Sequence, residues 1–127
     1  MSILEGELTV NISWPRRFRL WHYSVSYTQL LMRSLDDEGY PRRIDVLFSN
    51  VEWMQVAALY ETAAIEELVA SDPRWSEMTL RRPSDEKRKI FLLNGGPDLV
   101  IATHCQWHED DGDAHTPSRF GPMRRTE

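Results

Sequence analysis

An alternation of apolar and polar residues with a period of two most limits how this chain can fold. From Leu8 to Trp14 the even positions are apolar and the odd positions polar, and a similar alternation runs from Ile44 to Phe48. Successive side chains of a strand point to opposite faces, so these segments predict antiparallel strands with one buried face. The predicted core consists of Leu8, Val10, Ile12, Phe18, Leu20, Ile44, Val46, Phe48, Ile90, Leu92, Leu99 and Ile101.

Two later segments complete the predicted fold. Residues 35–41 have the composition of a turn, and strands are expected over residues 78–81, 89–93 and 99–107. Asn94-Gly95 separates the last two, which is typical of a β-hairpin because both residues tolerate a positive φ angle. Residues 56–70 are rich in Ala, with apolar residues at helical spacing, and Asp72-Pro73 is expected to end a helix there. For residues 57–70 the alternative is a strand up to Tyr60 and a second strand near residues 65–68. The sequence therefore predicts a mainly β protein (β or α+β), an antiparallel six- or seven-stranded barrel or sandwich with one helix.

The composition changes near the end of the chain. From Glu109 onward the sequence is acidic, rich in Pro and Gly, and almost free of apolar residues. Such a composition predicts a loop and tail over residues 109–127, following a single β-rich domain over residues 1–108.

Charge and hydropathy favour some classes of protein over others. Lys and Arg number 15 and Asp and Glu number 20, so the formal charge is −5, which argues against broad nucleic-acid binding. No apolar run is long enough to span a bilayer, and residues 1–7 lack the basic start and apolar core of a secretory signal. We therefore expect a cytoplasmic protein without membrane association.

Residues 23–34, Tyr-Ser-Val-Ser-Tyr-Thr-Gln-Leu-Leu-Met-Arg-Ser, are followed after a turn by Arg-Ile-Asp-Val-Leu-Phe at 43–48. This stretch resembles a group of small bacterial proteins of unknown function. It is also similar to the strand–turn–strand pattern of pleckstrin-homology-like small barrels. The resemblance covers roughly a quarter of the chain, and it implies a fold but no activity.

An Arg–aromatic segment is the candidate binding site. Alternation would place Arg17, Arg19, Trp21 and Tyr23 on one face of a strand, where guanidinium groups can stack on rings. Phe18, Leu20 and His22 would then lie on the other, inward face. Arg and aromatic residues together are typical of interaction surfaces. The alternative is an ordinary sheet face whose arginines pair with Asp45, Glu52 or other carboxylates.

The segment from His104 to His115 contains three of the four histidines and the only cysteine. In a strand His104 and His108 lie about 13 Å apart, which is too far for one zinc ion. Two interpretations of the loop are left: a metal site built from His108, Asp111, Asp113 and His115, and a solvated acidic loop in which the histidines bind nothing. Cys105 is interpreted as a small buried apolar residue, the alternative being a nucleophile next to a histidine. We expect no metal and no cofactor.

No catalytic motif is recognisable in the chain. The sequence therefore favours a non-catalytic binding or protein-interaction module, with a protein partner or a second copy of the chain as possible occupants. The alternative is a small enzyme with a His/carboxylate pocket at one end of the β-barrel, drawing on His22, His104 or His108.

Overall fold

The computed structural model describes residues 9–35, 42–77, 83–113 and 115–120. The strands within these ranges are β1 (Asn11–Trp14), β2 (Phe18–Ser24), β3 (Gln29–Ser34), β4 (Arg43–Ser49), β5 (Trp53–Gln55), β6 (Leu59–Tyr60), β7 (Ala63–Leu68), β8 (Lys89–Leu93), β9 (Leu99–Ala102) and β10 (His104–Asp110). The described helix is α1 (Pro73–Glu77). Leu8, the turn at 36–41, the expected strand at 78–81 and residues 121–127 lie outside the described residues.

The strands form two antiparallel five-stranded sheets. Sheet A has the order β1-β7-β8-β9-β5, and sheet B has the order β10-β4-β3-β2-β6. One cluster of buried side chains joins the inner faces of both sheets. Within it the rings of Phe48 and Phe91 meet edge to face, with their centres 5.7 Å apart. The fold class is therefore confirmed as a mainly β protein, a sandwich with one short helix in its described part.

The chain passes from one sheet to the other at Thr103. A single strand was expected from Leu99 to Trp107, but Thr103 separates β9 in sheet A from β10 in sheet B. The backbone N–H of Thr103 donates to the carbonyl of Ser49 at 2.9 Å, which fixes the crossing point. Ten strands are described rather than six or seven. Thr103 divides one expected strand into two, β5 and β6 are too short to be recognised in the sequence, and β7 replaces the expected helix.

The helix expected within residues 57–70 is wrong, and the alternative of two strands is correct. β6 and β7 occupy this segment, and β7 is hydrogen-bonded on both sides, to β1 and to β8. Pairing with two neighbours outweighs the helix propensity of the Ala residues. Asp72-Pro73 instead begins α1, since the Asp72 carboxylate accepts from the backbone N–H of Arg74 at 2.8 Å. No helix within the described ranges is long and apolar enough to cross a membrane.

The predicted core residues that the structure describes are buried or half-buried, but they form two clusters. Val46 and Phe48 lie between the sheets. The second cluster lies on the other face of sheet A, where Trp53 and Trp75 pack against it. Its buried residues are Leu68, Ile90, Leu92, Leu99 and Ile101. Sheet A is thus apolar on both faces, and the outer face of sheet B is the one left for polar side chains and for a site.

Candidate functional site

A β-bulge in β2 determines which side chains reach the outer face of sheet B. Leu20 pairs with Met32 and His22 pairs with Leu31, so Trp21 is an extra residue with no partner in β3. A bulge of this kind reverses the alternation beyond it. The residues after Trp21 therefore point to the faces opposite to those expected from a regular strand.

The predicted shared face is wrong for Tyr23. Arg17 and Arg19 line a depression on the outer face, and Trp21 lines a cleft on the same face. Tyr23, by contrast, packs against the core between the sheets. His22 takes its place on the outer face, although it was expected to point inward.

Trp21 stacks on an arginine, but this arginine is Arg33 of the neighbouring strand. The Arg33 guanidinium carbon lies 4.8 Å from the centre of the Trp21 ring. Arg33 also forms a two-pronged ion pair with Asp45, with Nε to Oδ1 at 2.7 Å and Nη2 to Oδ2 at 3.1 Å. Both charged side chains are buried, at 3% and 1% exposure, so their positions are fixed and they hold the exposed Trp21 ring in place.

Arg43 fastens the segment after β10 against sheet B. Its Nε and Nη2 donate to the Asp110 carboxylate, each at 2.8 Å. Its Nη1 also donates to the carbonyls of Asp113 at 2.9 Å and Thr116 at 2.6 Å, and its Nη2 donates to the carbonyl of Pro117 at 3.2 Å. The Arg43 side chain is 1% exposed. The Arg43 guanidinium therefore attaches Asp110, Asp113, Thr116 and Pro117 to sheet B.

The chemistry of this attachment depends on Asp110 and Gly112. The hydrogen bond from Arg43 lowers the pKa of Asp110 to about 2, with a smaller contribution from the Gly112 backbone N–H. A Cβ on residue 112 would lie 2.6 Å from the Arg43 guanidinium carbon. Glycine is therefore required for the close approach of this loop.

A cleft of about 600 Å³ lies between the outer face of sheet B and residues 115–120. Leu31 and Leu47 are among its lining residues, each 6% exposed, and form an apolar floor. Trp21 and Tyr27 line it from the sheet side with exposures of 37% and 38%. His115 to Ser118 and Phe120 form the opposite wall. The cleft combines an apolar floor, aromatic edges and a few hydroxyl and imidazole groups.

The His and Cys side chains of the segment from His104 to His115 do not come together in one site. Cys105 lies in the core between the sheets, where burial raises its pKa. His108 Nε2 lies 4.0 Å from Asp110 Oδ2 and is buried, with no hydrogen-bond partner among the described residues. His115, by contrast, lines the cleft. Among the described residues, no three His, Cys, Asp or Glu side chains are grouped closely enough to hold a metal ion.

No protein-family model, curated protein or solved structure is significantly similar to this chain. The resemblance to small bacterial proteins and to pleckstrin-homology-like barrels therefore stays a prediction, and the function is argued from the cleft itself.

Proposed function

We propose that this chain is a non-catalytic binding module and that the cleft on the outer face of sheet B is its ligand site. The observation that carries the proposal is the cleft of about 600 Å³ with an apolar floor and exposed aromatic edges. Small-molecule sites are mostly apolar concave surfaces of roughly 300–1,000 Å³ with a few polar groups. Trp21, predicted as a binding residue, lines this cleft.

The walls of the cleft are formed before any ligand arrives. The Arg33–Asp45 pair fixes the Trp21 ring from below, and Arg43 fixes Asp113, Thr116 and Pro117 on the other side. A preformed site loses little conformational entropy on binding, and this favours affinity.

The composition of the cleft favours binding over acid–base catalysis. His22 and His115 line it, and no Asp or Glu is found among its lining residues in the described part of the chain. A His/carboxylate pair, on which the enzyme alternative depends, therefore has only one of its two members in the cleft.

The test is a screen of small aromatic compounds by saturation-transfer NMR with the wild-type protein and two variants. Tyr27→Ser removes an exposed ring from the cleft, and Leu59→Ser removes an equally exposed apolar side chain from β6. We expect compounds that bind the wild type and the Leu59→Ser variant but bind the Tyr27→Ser variant several-fold more weakly. If no compound binds, or if Leu59→Ser weakens binding as much as Tyr27→Ser, the proposal is wrong.

A second candidate, association with another copy of the chain, is favoured by β10. This strand lies at the edge of sheet B, and its Trp107 is 40% exposed although it contacts the Trp14 ring. An exposed edge strand can pair with another chain. Sedimentation of the wild type at high micromolar concentration should show a dimer, and Trp107→Lys should give a monomer while Val69→Lys does not. A monomeric wild type would exclude this candidate.

A further inference from the structure

Three arginines meet at the end of the cleft beyond Trp21. Arg17, Arg19 and Arg33 line a small depression together with Leu35. Arg33 also lines the cleft, so one buried side chain forms the wall between the two features. Arg19 and Arg33 are direct partners across β2 and β3, and the Trp21 ring lies over the Arg33 guanidinium. The depression and the cleft are therefore parts of one continuous surface.

Arg19 differs from its two neighbours in having no carboxylate partner among the described residues. Arg17 is paired with Glu61 at 3.2 Å, and Arg33 is paired with Asp45 at 2.7 Å. The exposed Arg19 side chain makes no hydrogen bond or ion pair with any described residue. Its positive charge, which no described residue neutralises, therefore lies next to the apolar cleft of a chain whose formal charge is −5.

We propose that the ligand of the cleft is a small flat apolar molecule that carries one carboxylate. This inference rests on the proposed function and adds the chemical class of the ligand. The ring lies on the Leu31–Leu47 floor beside the exposed face of Trp21, and the carboxylate reaches the Arg19 guanidinium. The Cα atoms of Arg19 and Trp21 are about 7 Å apart along the strand, a separation that a two-ring carboxylate can span.

The chemistry of both ends supports this class of ligand. A guanidinium donates two parallel hydrogen bonds to a carboxylate, and Arg19 has all its donors available for such a contact. Ring stacking on Trp21 and contact with buried leucines favour a flat apolar body over a sugar or a flexible polar chain. Arg19 would act as the specificity-determining residue, and Trp21 as the residue that binds the ring.

The test uses two probes of the same shape, 2-naphthoate and its uncharged analogue 2-naphthamide. At low salt the wild type should bind 2-naphthoate about five- to tenfold more tightly, as expected for a charge-assisted contact that is partly exposed. The preference should shrink as the salt concentration rises. Arg19→Glu should abolish the preference, because it should weaken the binding of 2-naphthoate much more than that of 2-naphthamide.

Lys87→Glu is the matched control, because it changes the net charge equally at an exposed residue outside the cleft and should keep the preference. Circular dichroism and the melting temperature establish that each variant folds, and Arg19→Gln replaces Arg19→Glu if the charge reversal disturbs folding. If neither probe binds the wild type, the proposed function fails together with this inference. If both probes bind equally, or if the preference survives in the Arg19 variant, only this inference fails.

Discussion

The Arg43 guanidinium carbon lies 2.6 Å from the position that a Cβ atom on residue 112 would occupy. Arg43 cannot move aside freely, because it is 1% exposed and holds the Asp110 carboxylate and three backbone carbonyls. Gly112 and Arg43 are therefore fitted to each other, and together they place one wall of the cleft.

Gly112→Ala should destabilise the protein by about 1–3 kcal/mol, the usual cost of overpacking a close contact. The free energy of unfolding can be measured in urea, and the amide signals of Asp113, His115 and Thr116 should shift as the wall detaches. Gly95→Ala is the control. Residue 95 has a φ of 80° and open space around its Cβ position, so its variant should cost about 1 kcal/mol and leave those signals in place. Unshifted signals in the Gly112 variant would contradict the role of Arg43.

Removing one partner of the buried Arg33–Asp45 ion pair should strongly lower the free energy of unfolding. Asp45→Asn should lower the free energy of unfolding by on the order of 3–5 kcal/mol, because it removes the carboxylate from a buried ion pair. Glu61→Gln, which breaks the exposed pair with Arg17, should cost less than about 1 kcal/mol. Urea denaturation of both variants at pH 7 compares the two costs. Equal costs would show that Asp45 does not stabilise Arg33 as the geometry indicates.

Acid should weaken the attachment of the cleft wall. The pKa of Asp110 is lowered to about 2 by its hydrogen bond with Arg43, whereas an unfolded Asp titrates near about 3.9. The stability that this carboxylate contributes is therefore fully present above about pH 4 and is lost as the pH falls toward 2. Between pH 5 and pH 2 the free energy of unfolding of the wild type should fall more than that of Asp110→Asn. Parallel curves would contradict the assignment.

Cys105 should not react with thiol reagents in the folded protein. It is 8% exposed in the core, and burial raises the pKa of its thiol well above the usual range. Modification by a disulfide reagent at pH 8 should occur only in urea, and its rate should follow unfolding. Stoichiometric labelling of the native protein within seconds would place the thiol at the surface.

The period-two pattern predicted strands and buried residues well, but it could not predict which face each residue occupies. In β8 and β9 the apolar residues are continuous, so Ile90 and Phe91 are equally good core candidates, although they lie on opposite faces of sheet A. The bulge at Trp21 and the crossing at Thr103 each reverse the alternation. Neither carries a Gly or Pro signal in the sequence, since both are set by pairing with neighbouring strands.

The candidate site was predicted only in part. Arg19 and Trp21 share one face as expected, and Asp45 was expected to pair with an arginine of the Arg–aromatic segment, but Arg33 and Arg43 were not singled out. A signal for these residues exists, because they are charged residues next to apolar residues of β3 and β4, and burial of a charged residue requires a partner. The contact of residues 115–120 with sheet B could not be predicted, because it depends on long-range hydrogen bonds from Arg43 to backbone carbonyls.

A titration of the ¹⁵N-labelled wild type with 2-naphthoate and with 2-naphthamide, followed by amide and indole chemical shifts, tests the central claim most directly. If the cleft is the ligand site, saturable shifts will occur at the Trp21 indole N–H and at the amides of Leu31, Leu47 and the non-proline residues of 115–120. Shifts centred instead on β6 or β10, or no saturable shifts with either probe, would contradict the claim.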